Sequence, residues 1–432
     1  MKRSWLLLLV LFAAVLTVTA TVSAQDSGAA LSGVVRVGSW ESGDALNAWN
    51  AAIASFKTAN PNVDVQLEAV PQEYGTKLLA QFASGNAPDV FMVGDGDAAK
   101  FQSLGATEDL APYIAGKNGF DPSVSFPGVA EFGKVAGSTY YMTKDYSPLV
   151  AFYNIDQFKA AGLDAPKSGW TWGDFLKAAQ KLTVDANGND ATSPSFDAKK
   201  IKRWGAQIPD GWGDPLWLRG VLPLIYQNGG SLISADGTKT SGFMNSEATV
   251  SALQWYVDLF TKYHVAPTKQ DVAAFSGTDL FKSQLVSMLW TGIWPLSDYK
   301  KATELKFGTV ELPSGPKGKS NVLCWSGFAL YKGSKNKDAA WAFLKHIATG
   351  AGAKEFATYG LTAIKSIADA QGLSKDQYQA SVIRDLDNVK PLPEATTPYW
   401  AECGNKAFSD QFETVFSANV SIKEAMDNGE TH

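Results

Sequence analysis

The feature that most constrains this chain is a regular switching of hydrophobic period between residues 34 and 93. Val34 to Val37 reads as a short buried strand. Leu46, Trp49, Ile53 and Phe56 follow at spacings of 3, 4 and 3, which puts them on one helix face, and Pro61 ends that helix. Val63, Val65 and Leu67 then alternate as a strand, Leu78, Leu79 and Phe82 mark a second helix stopped by Gly85, and Asp89 to Val93 is a third apolar strand. Strands separated by helices cannot pair as hairpins, so a βαβαβ order dictates a parallel α/β sheet. Such sheets bind ligands beyond the carboxyl ends of their strands, where the loops emerge. Those ends carry Ser39-Trp40-Glu41 and Gly94-Asp95-Gly96-Asp97, bringing an aromatic face and carboxylates to one edge. The alternative for Asp95 and Asp97 is a turn leading into a helix cap.

Beyond Tyr140-Tyr141 the chain passes through Lys144-Asp145-Tyr146-Ser147-Pro148 into the apolar stretch Leu149 to Tyr153, a crossing between lobes. Thr171 and Asp174 have capping-box spacing before a helix whose buried face is Trp172, Phe175, Leu176, Ala179 and Leu182, which makes Trp172 a core residue. Asp185, Asn187, Asn189 and Asp190 alternate oxygen ligands as a calcium loop does. The bidentate Glu near the twelfth position is missing, which favours a turn. Trp212 stands in the glycine-flanked loop Gly211 to Trp217, ahead of an apolar helix ending at Gly229-Gly230. Met288 to Trp290 is a strand that empties into Gly292-Ile293-Trp294-Pro295, another aromatic at a carboxyl end. Phe307 to Leu312 and Val322 to Tyr331 are further strands, Asp338 to His346 a helix, and a last helical region begins near Pro398-Tyr399-Trp400.

Met1-Lys2-Arg3, the apolar run from Trp5 to Leu16 and the small residues of Val22-Ser23-Ala24 form a secretory signal over residues 1–24. An uncleaved anchor over Trp5 to Val22 is the competing reading, and either way the body lies outside the cytoplasm, in the periplasm or its extracytoplasmic equivalent. No cysteine stands near Ala24, so no lipid attachment is expected. Cleavage leaves roughly 400 residues, more than the ~250–300 over which one hydrophobic core keeps growing, so two lobes are expected. The formal charge of -5, which becomes more negative with the loss of Lys2 and Arg3, repels phosphate backbones and argues against nucleic acid as a partner. The 14 tryptophans are a surplus of broad apolar faces, each with one donor, and suggest stacking surfaces; the alternative is that most are core.

Several chemistries find no support. There is no Gly-x-Ser-x-Gly elbow and no His-Glu-x-x-His, and Gly318-Lys319-Ser320 has Pro313 where a phosphate loop needs its first glycine. His264, His346 and His432 lack partners at ligand spacing, so neither a metal nor a cofactor is expected. A glycoside hydrolase needs only two carboxylates, so that alternative stays open beside a cell-surface lectin. Cys324 and Cys403 are the only cysteines, each near a tryptophan, and in an oxidising compartment a disulfide between them is expected; two small buried thiols are the alternative.

A further set of landmarks runs in a fixed order: Phe82-Ala83-Ser84-Gly85-Asn86-Ala87-Pro88-Asp89-Val90, Tyr153-Asn154, Ala161-Gly162-Leu163, Trp170-Thr171-Trp172-Gly173-Asp174-Phe175, Gln227-Asn228-Gly229-Gly230, Gly292-Ile293-Trp294-Pro295, Val310-Glu311-Leu312-Pro313 and Ser334 to Phe343. Together they resemble the carbohydrate class of bacterial ABC-importer solute-binding proteins, the group that includes maltose-binding protein. The resemblance implies a two-lobed periplasmic-binding-protein fold, type II-like, with a ligand cleft between lobes joined by three hinge crossings. The crossings fall near Lys144 to Val150, Val322 to Ala329 and Gly360 to Ser366. Lobe 1 is then 34–144 plus 329–362 and lobe 2 is 150–322 plus 366–432. Many relatives carry a proline after the segment matching Gly360-Leu361-Thr362, where this chain has Ala363-Ile364. The resemblance also implies ligand contacts from Trp40, Asp95 and Asp97 on one lobe, from Trp212, Asp214, Trp294 and Trp400 on the other, and from Asp145 and Trp325 at the crossings. It implies a non-enzymatic monomer that binds a carbohydrate and hands it to membrane permease subunits. Few basic residues stand near the expected crevice, which argues against a phosphorylated ligand.

Overall fold

The alternating periods fold as they read. In the computed structural model, which describes residues 30–430 except 44, 136, 209–216, 276–277, 359–360, 391, 394–396 and 398, β1 (Gly33–Ser39), α1 (Ala45–Ala59), β2 (Val63–Ala69), α2 (Tyr74–Ser84), β3 (Val90–Gly94) and α3 (Asp95–Ser103) follow in order. β1 pairs in parallel with both β2 and β3. α1 buries Ala48, Trp49, Ala52 and Phe56. α2 stops at Gly85, whose φ of 68° is left-handed and lets the N–H groups of Gly85 and Asn86 return to the carbonyls of Phe82 and Gln81. The signal segment, Trp212, Asp214 and the start of the third crossing at Gly360 lie outside the described residues.

The crossings contain structure that periodicity did not reveal. Tyr141–Pro148 is a strand, β4, followed after Leu149 by β5 (Val150–Asn154). β5 is the centre of a separate three-stranded sheet, antiparallel to β6 (Met288–Thr291) and β7 (Phe307–Glu311). The long strand β8 (Asn321–Leu330) then returns to the first sheet, antiparallel to β3 on one side and to β4 on the other, so that sheet is mixed rather than purely parallel. The β4–β8 ladder shifts register between Ser326 and Gly327: Ser326 faces Asp145 while Gly327 faces Thr143, leaving Lys144 as the extra residue of a bulge. Gly327 permits this close approach, since a Cβ there would stand 2.6 Å from the Met142 carbonyl oxygen.

Each sheet has its own core. On the first, Val35, Val37, Trp49 and Phe56 pack with Phe343 and Trp341 of α7 (Lys337–Thr349). On the second, Phe175, Leu222, Tyr256 and Trp290 form one side, while Phe152, Tyr299 and Phe307 form the other. The Thr171–Asp174 capping box is present, and Trp172 is buried, stacked on Trp255 at 4.4 Å. His346 lies against Ser55 and the Ala52 carbonyl, a structural role. Asp185 takes hydrogen bonds from the N–H groups of Asn187, Asn189 and Asp197 and from the Asn189 side chain. Burial would raise its pKa, but these four donors hold the carboxyl down to about 2 and make the segment a turn.

Candidate ligand-binding cleft

The carboxyl ends of β1 and β3, the β4–β8 bulge and the loop beyond β6 face one another across a cleft of about 880 Å³, within the ~300–1,000 Å³ spanned by small-molecule sites. Its walls are aromatic on both sides. Trp40 leaves the end of β1 half-buried and meets Tyr74 edge-on, ring centroids 5.5 Å apart; the Tyr74 hydroxyl donates to the Met92 carbonyl and so fixes that contact. Trp325, on β8, leans against Tyr141. From the second sheet's side come Trp294, in the loop beyond β6, and Trp217, at the start of a helix, edge to face at 6.2 Å. Gly292 is required beneath Trp294, because a Cβ there would fall 1.9 Å from the indole ring.

The floor is charged, and most of the charge is matched. Lys144, thrust inward by the bulge and only 7% exposed, bonds Glu41 and stands 2.8 Å from Asp145. Burial would lower the pKa of Lys144, but the carboxylates of Asp145 and Glu41 outweigh it and raise the value well above the usual range. Glu41 also accepts from Trp49 Nε1 at 2.7 Å, and Asp145 from Ser326 Oγ at 2.5 Å. Asp95 pairs with Arg219 at 2.9 Å, while its other oxygen takes the Trp325 N–H at 3.3 Å. Arg219 stands in the first turn of α5 (Leu218–Gln227), on the second sheet's side, so this ion pair spans the cleft. Asp97 differs from its neighbours: among the described residues no hydrogen bond or ion pair occupies its carboxylate. Burial raises its pKa above 3.8, with the charges of Lys100 and Arg219 working against that shift and Asp95 adding to it.

A ligand hydroxyl that donates to Asp97 needs the carboxylate ionised. Affinity is therefore expected to weaken as pH falls toward 3.8, beginning at milder acidity than for an ordinary aspartate, and Asp97→Asn is expected to flatten that profile in calorimetric titrations. The sign is opposite for folding: with its pKa raised above 3.8, the stability that Asp97 contributes is lost as pH rises from there through its own titration. A wild-type affinity independent of pH would remove Asp97 from the contact surface.

Six residues singled out from the sequence come together here: Trp40, Asp95, Asp97, Asp145, Trp294 and Trp325. Trp400 does not join them. It is 1% exposed, packed in the second sheet's core near Phe408 and Phe412, and its ring lies over its own turn, where a Cβ on Gly404 would stand 2.3 Å away. The expected disulfide is also absent: Cys324 and Cys403 are not joined. Trp400 takes the buried face of the 400–404 turn and Cys403 its exposed face, while Cys324 is half-buried on β8. Two cations, Lys144 and Arg219, also line the cleft. Neither Arg219 nor Trp217 was legible as a site residue. Both sit at the mouth of an apolar helix that reads as core, and only their nearness to the glycine-flanked Trp212 hinted otherwise.

Residues 51–382 match the family described as bacterial extracellular solute-binding protein. A Brucella abortus relative is 26% identical over 301 residues, which is 67% of this chain and 66% of the relative, so the match spans just under two thirds of its length. The diacetylchitobiose-binding protein of Streptomyces coelicolor is 25% identical over 313 residues, 70% of this chain and 66% of that protein. Among solved structures, an ABC substrate-binding protein from Listeria monocytogenes in complex with cycloalternan superposes with a TM-score of 0.77 at 26% identity, covering 92% of this chain and 97% of that one.

Proposed function

Since the chain belongs to the bacterial extracellular solute-binding protein family, we propose that it captures a mono- or oligosaccharide between its two lobes by hinge closure and delivers it to an ABC importer. The observation that carries this reading is the convergence on one cleft of Trp40 and Trp325, from the end of β1 and from β8, with Trp294 and Trp217, from the loop beyond β6 and the start of α5. A pyranose presents an apolar face of C–H groups that packs on an indole, and its buried hydroxyls need acceptors and donors, which Asp97, Asp145 and Ser326 supply.

The hinge is assigned to the crossings at 144–150, 322–329 and 360–366, dividing the chain into 34–144 plus 329–362 and 150–322 plus 366–432. The segments run side by side, which supports the assignment: Asp145 lies opposite Ser326 and bridges to Thr362, and the Ala363 N–H donates to the Lys144 carbonyl. A ligand touching both lobes favours the closed form by its extra contacts, and closure displays a surface for the permease pair. Those subunits and their ATPases are other chains, and the binding protein acts as an extracytoplasmic monomer. No described helix is long and apolar enough to cross a membrane. Hydrolysis would require a carboxyl group free to act as acid and another free as base or nucleophile. Of Glu41, Asp95, Asp97 and Asp145, only Asp97 stands outside an ion pair among the described residues, so this group offers one free carboxyl rather than two, which favours binding over catalysis.

A thermal-shift screen across neutral mono- and oligosaccharides tests the reading. A ligand at 100 times its Kd adds about 2.7 kcal/mol of stability, enough to raise Tm by several degrees. The same mixtures analysed by chromatography are expected to return the sugar intact. A panel in which no sugar moves Tm would sink sugar capture, and shorter products would establish the hydrolase.

A further inference from the structure

Among the described residues, two cations line the cleft, Arg219 and Lys144, and each is paired with a carboxylate from within it. Arg219 reaches Asp95 at 2.9 Å, the two side chains being 17% and 13% exposed. Asp95 is itself anchored to β8 by the Trp325 N–H. Lys144 is held between Glu41 and Asp145. An uncommitted guanidinium or ammonium is the usual means by which a protein grips phosphate or carboxylate. Here a bound anion would have to displace a carboxylate already in place, and it would face Asp97 as well. The start of α3 would by its dipole attract an anion, but Asp95 and Asp97 occupy that first turn. Gly96 belongs to the same arrangement: a Cβ there would lie 2.8 Å from an Arg219 guanidinium nitrogen, so any larger residue would push the guanidinium from its present position.

We propose that Asp95 is a specificity-determining residue which, by neutralising Arg219 across the cleft, makes the site selective for uncharged sugars over phosphorylated or uronic ones. The identity of the favoured ligand rests on the proposed sugar-binding function; the rejection of anions rests on the ion pairs alone. Asp95 acts through Arg219, so it is a positioning residue, and the discriminating readout is ligand charge rather than affinity as such.

The test begins with inorganic phosphate, which requires no knowledge of the sugar. The wild-type protein is expected to show neither a thermal shift nor a change in tryptophan fluorescence in millimolar phosphate. Asp95→Asn, which keeps an acceptor for the Trp325 N–H, is expected to bind phosphate at least about ten-fold more tightly than wild type, the scale of one charge-assisted hydrogen bond. That gain is expected to fade at high ionic strength, and Arg219→Gln added to Asp95→Asn is expected to abolish it. Asp95→Ser serves as a second charge-removing variant in case the first misfolds. For any neutral sugar found in the screen, the wild-type protein is expected to reject its phosphate ester and Asp95→Asn to narrow that preference by a similar factor. Phosphate binding by the wild-type protein, or folded Asp95 variants with no gain for anions, would overturn the proposal. A wild-type protein that binds no sugar sinks the proposed function instead, and the phosphate arm distinguishes the two failures because it contains no sugar.

Discussion

Trp400→Ala is expected to lower the free energy of unfolding by about 3–5 kcal/mol, the usual cost of truncating a large buried aromatic. The indole is 1% exposed and belongs to the same core as Phe408, Phe412, Leu149 and Leu222. Removing it empties a volume that the turn over residues 400–404 and α8 (Asn405–Ser417) cannot readily refill, because Gly404 beneath the ring has no side chain to move in. Trp400→Phe is expected to cost less. The indole N–H has no acceptor among the described residues, so losing it forfeits no hydrogen bond, and only the smaller ring volume counts. Urea unfolding followed by circular dichroism measures both. A Trp400→Ala protein of wild-type stability whose sugar affinity has collapsed would return this ring to the cleft.

Trp294→Ala is expected to do the reverse, weakening sugar binding by about 2 kcal/mol or more, some thirty-fold, the scale of losing an aromatic anchor, while moving Tm far less than Trp400→Ala. Trp294 is half-buried and meets the cleft; its ring rests on Gly292 and on the edge of Trp217, so truncation exposes a glycine-floored hollow rather than opening a cavity in a core. Trp40→Ala on the opposite wall is expected to behave in the same way. Calorimetric titration with the sugar found in the thermal screen gives the affinity, and unfolding of the ligand-free variants gives the stability. Wild-type affinity in both Trp294→Ala and Trp40→Ala would leave the stacking role without support.

Some of these distinctions were legible in the order of residues. Trp172 reads as core because it lies on a capped helix with apolar partners at helical spacing, and it is core. Trp40 and Trp294 read as cleft residues because they follow strands and stand next to glycines or polar residues, and both line the cleft. Trp400 misleads for a physical reason. A tryptophan ahead of a helix can turn its ring out to the loop side or fold it back over its own first turn, and the choice depends on a glycine four residues on and on a core contributed by distant segments. Cys324 and Cys403 mislead in the same way, since proximity to tryptophans said nothing about which face of the chain each sulfur takes.

Local periodicity and turn chemistry determined the βαβαβ order, and through it a parallel sheet with a ligand edge at its carboxyl ends, because strand and helix periods depend on residues a few positions apart; which strands flank β1 is set by pairings such as Val37 with Val90 and was decided in the fold. The tertiary structure alone decided the charge of the cleft. Arg219 meets Asp95 from more than a hundred positions away, and Lys144 is aimed inward only because β4 bulges against β8. Electrostatic energy depends on distances through space, and those exist only once separate stretches of chain have packed.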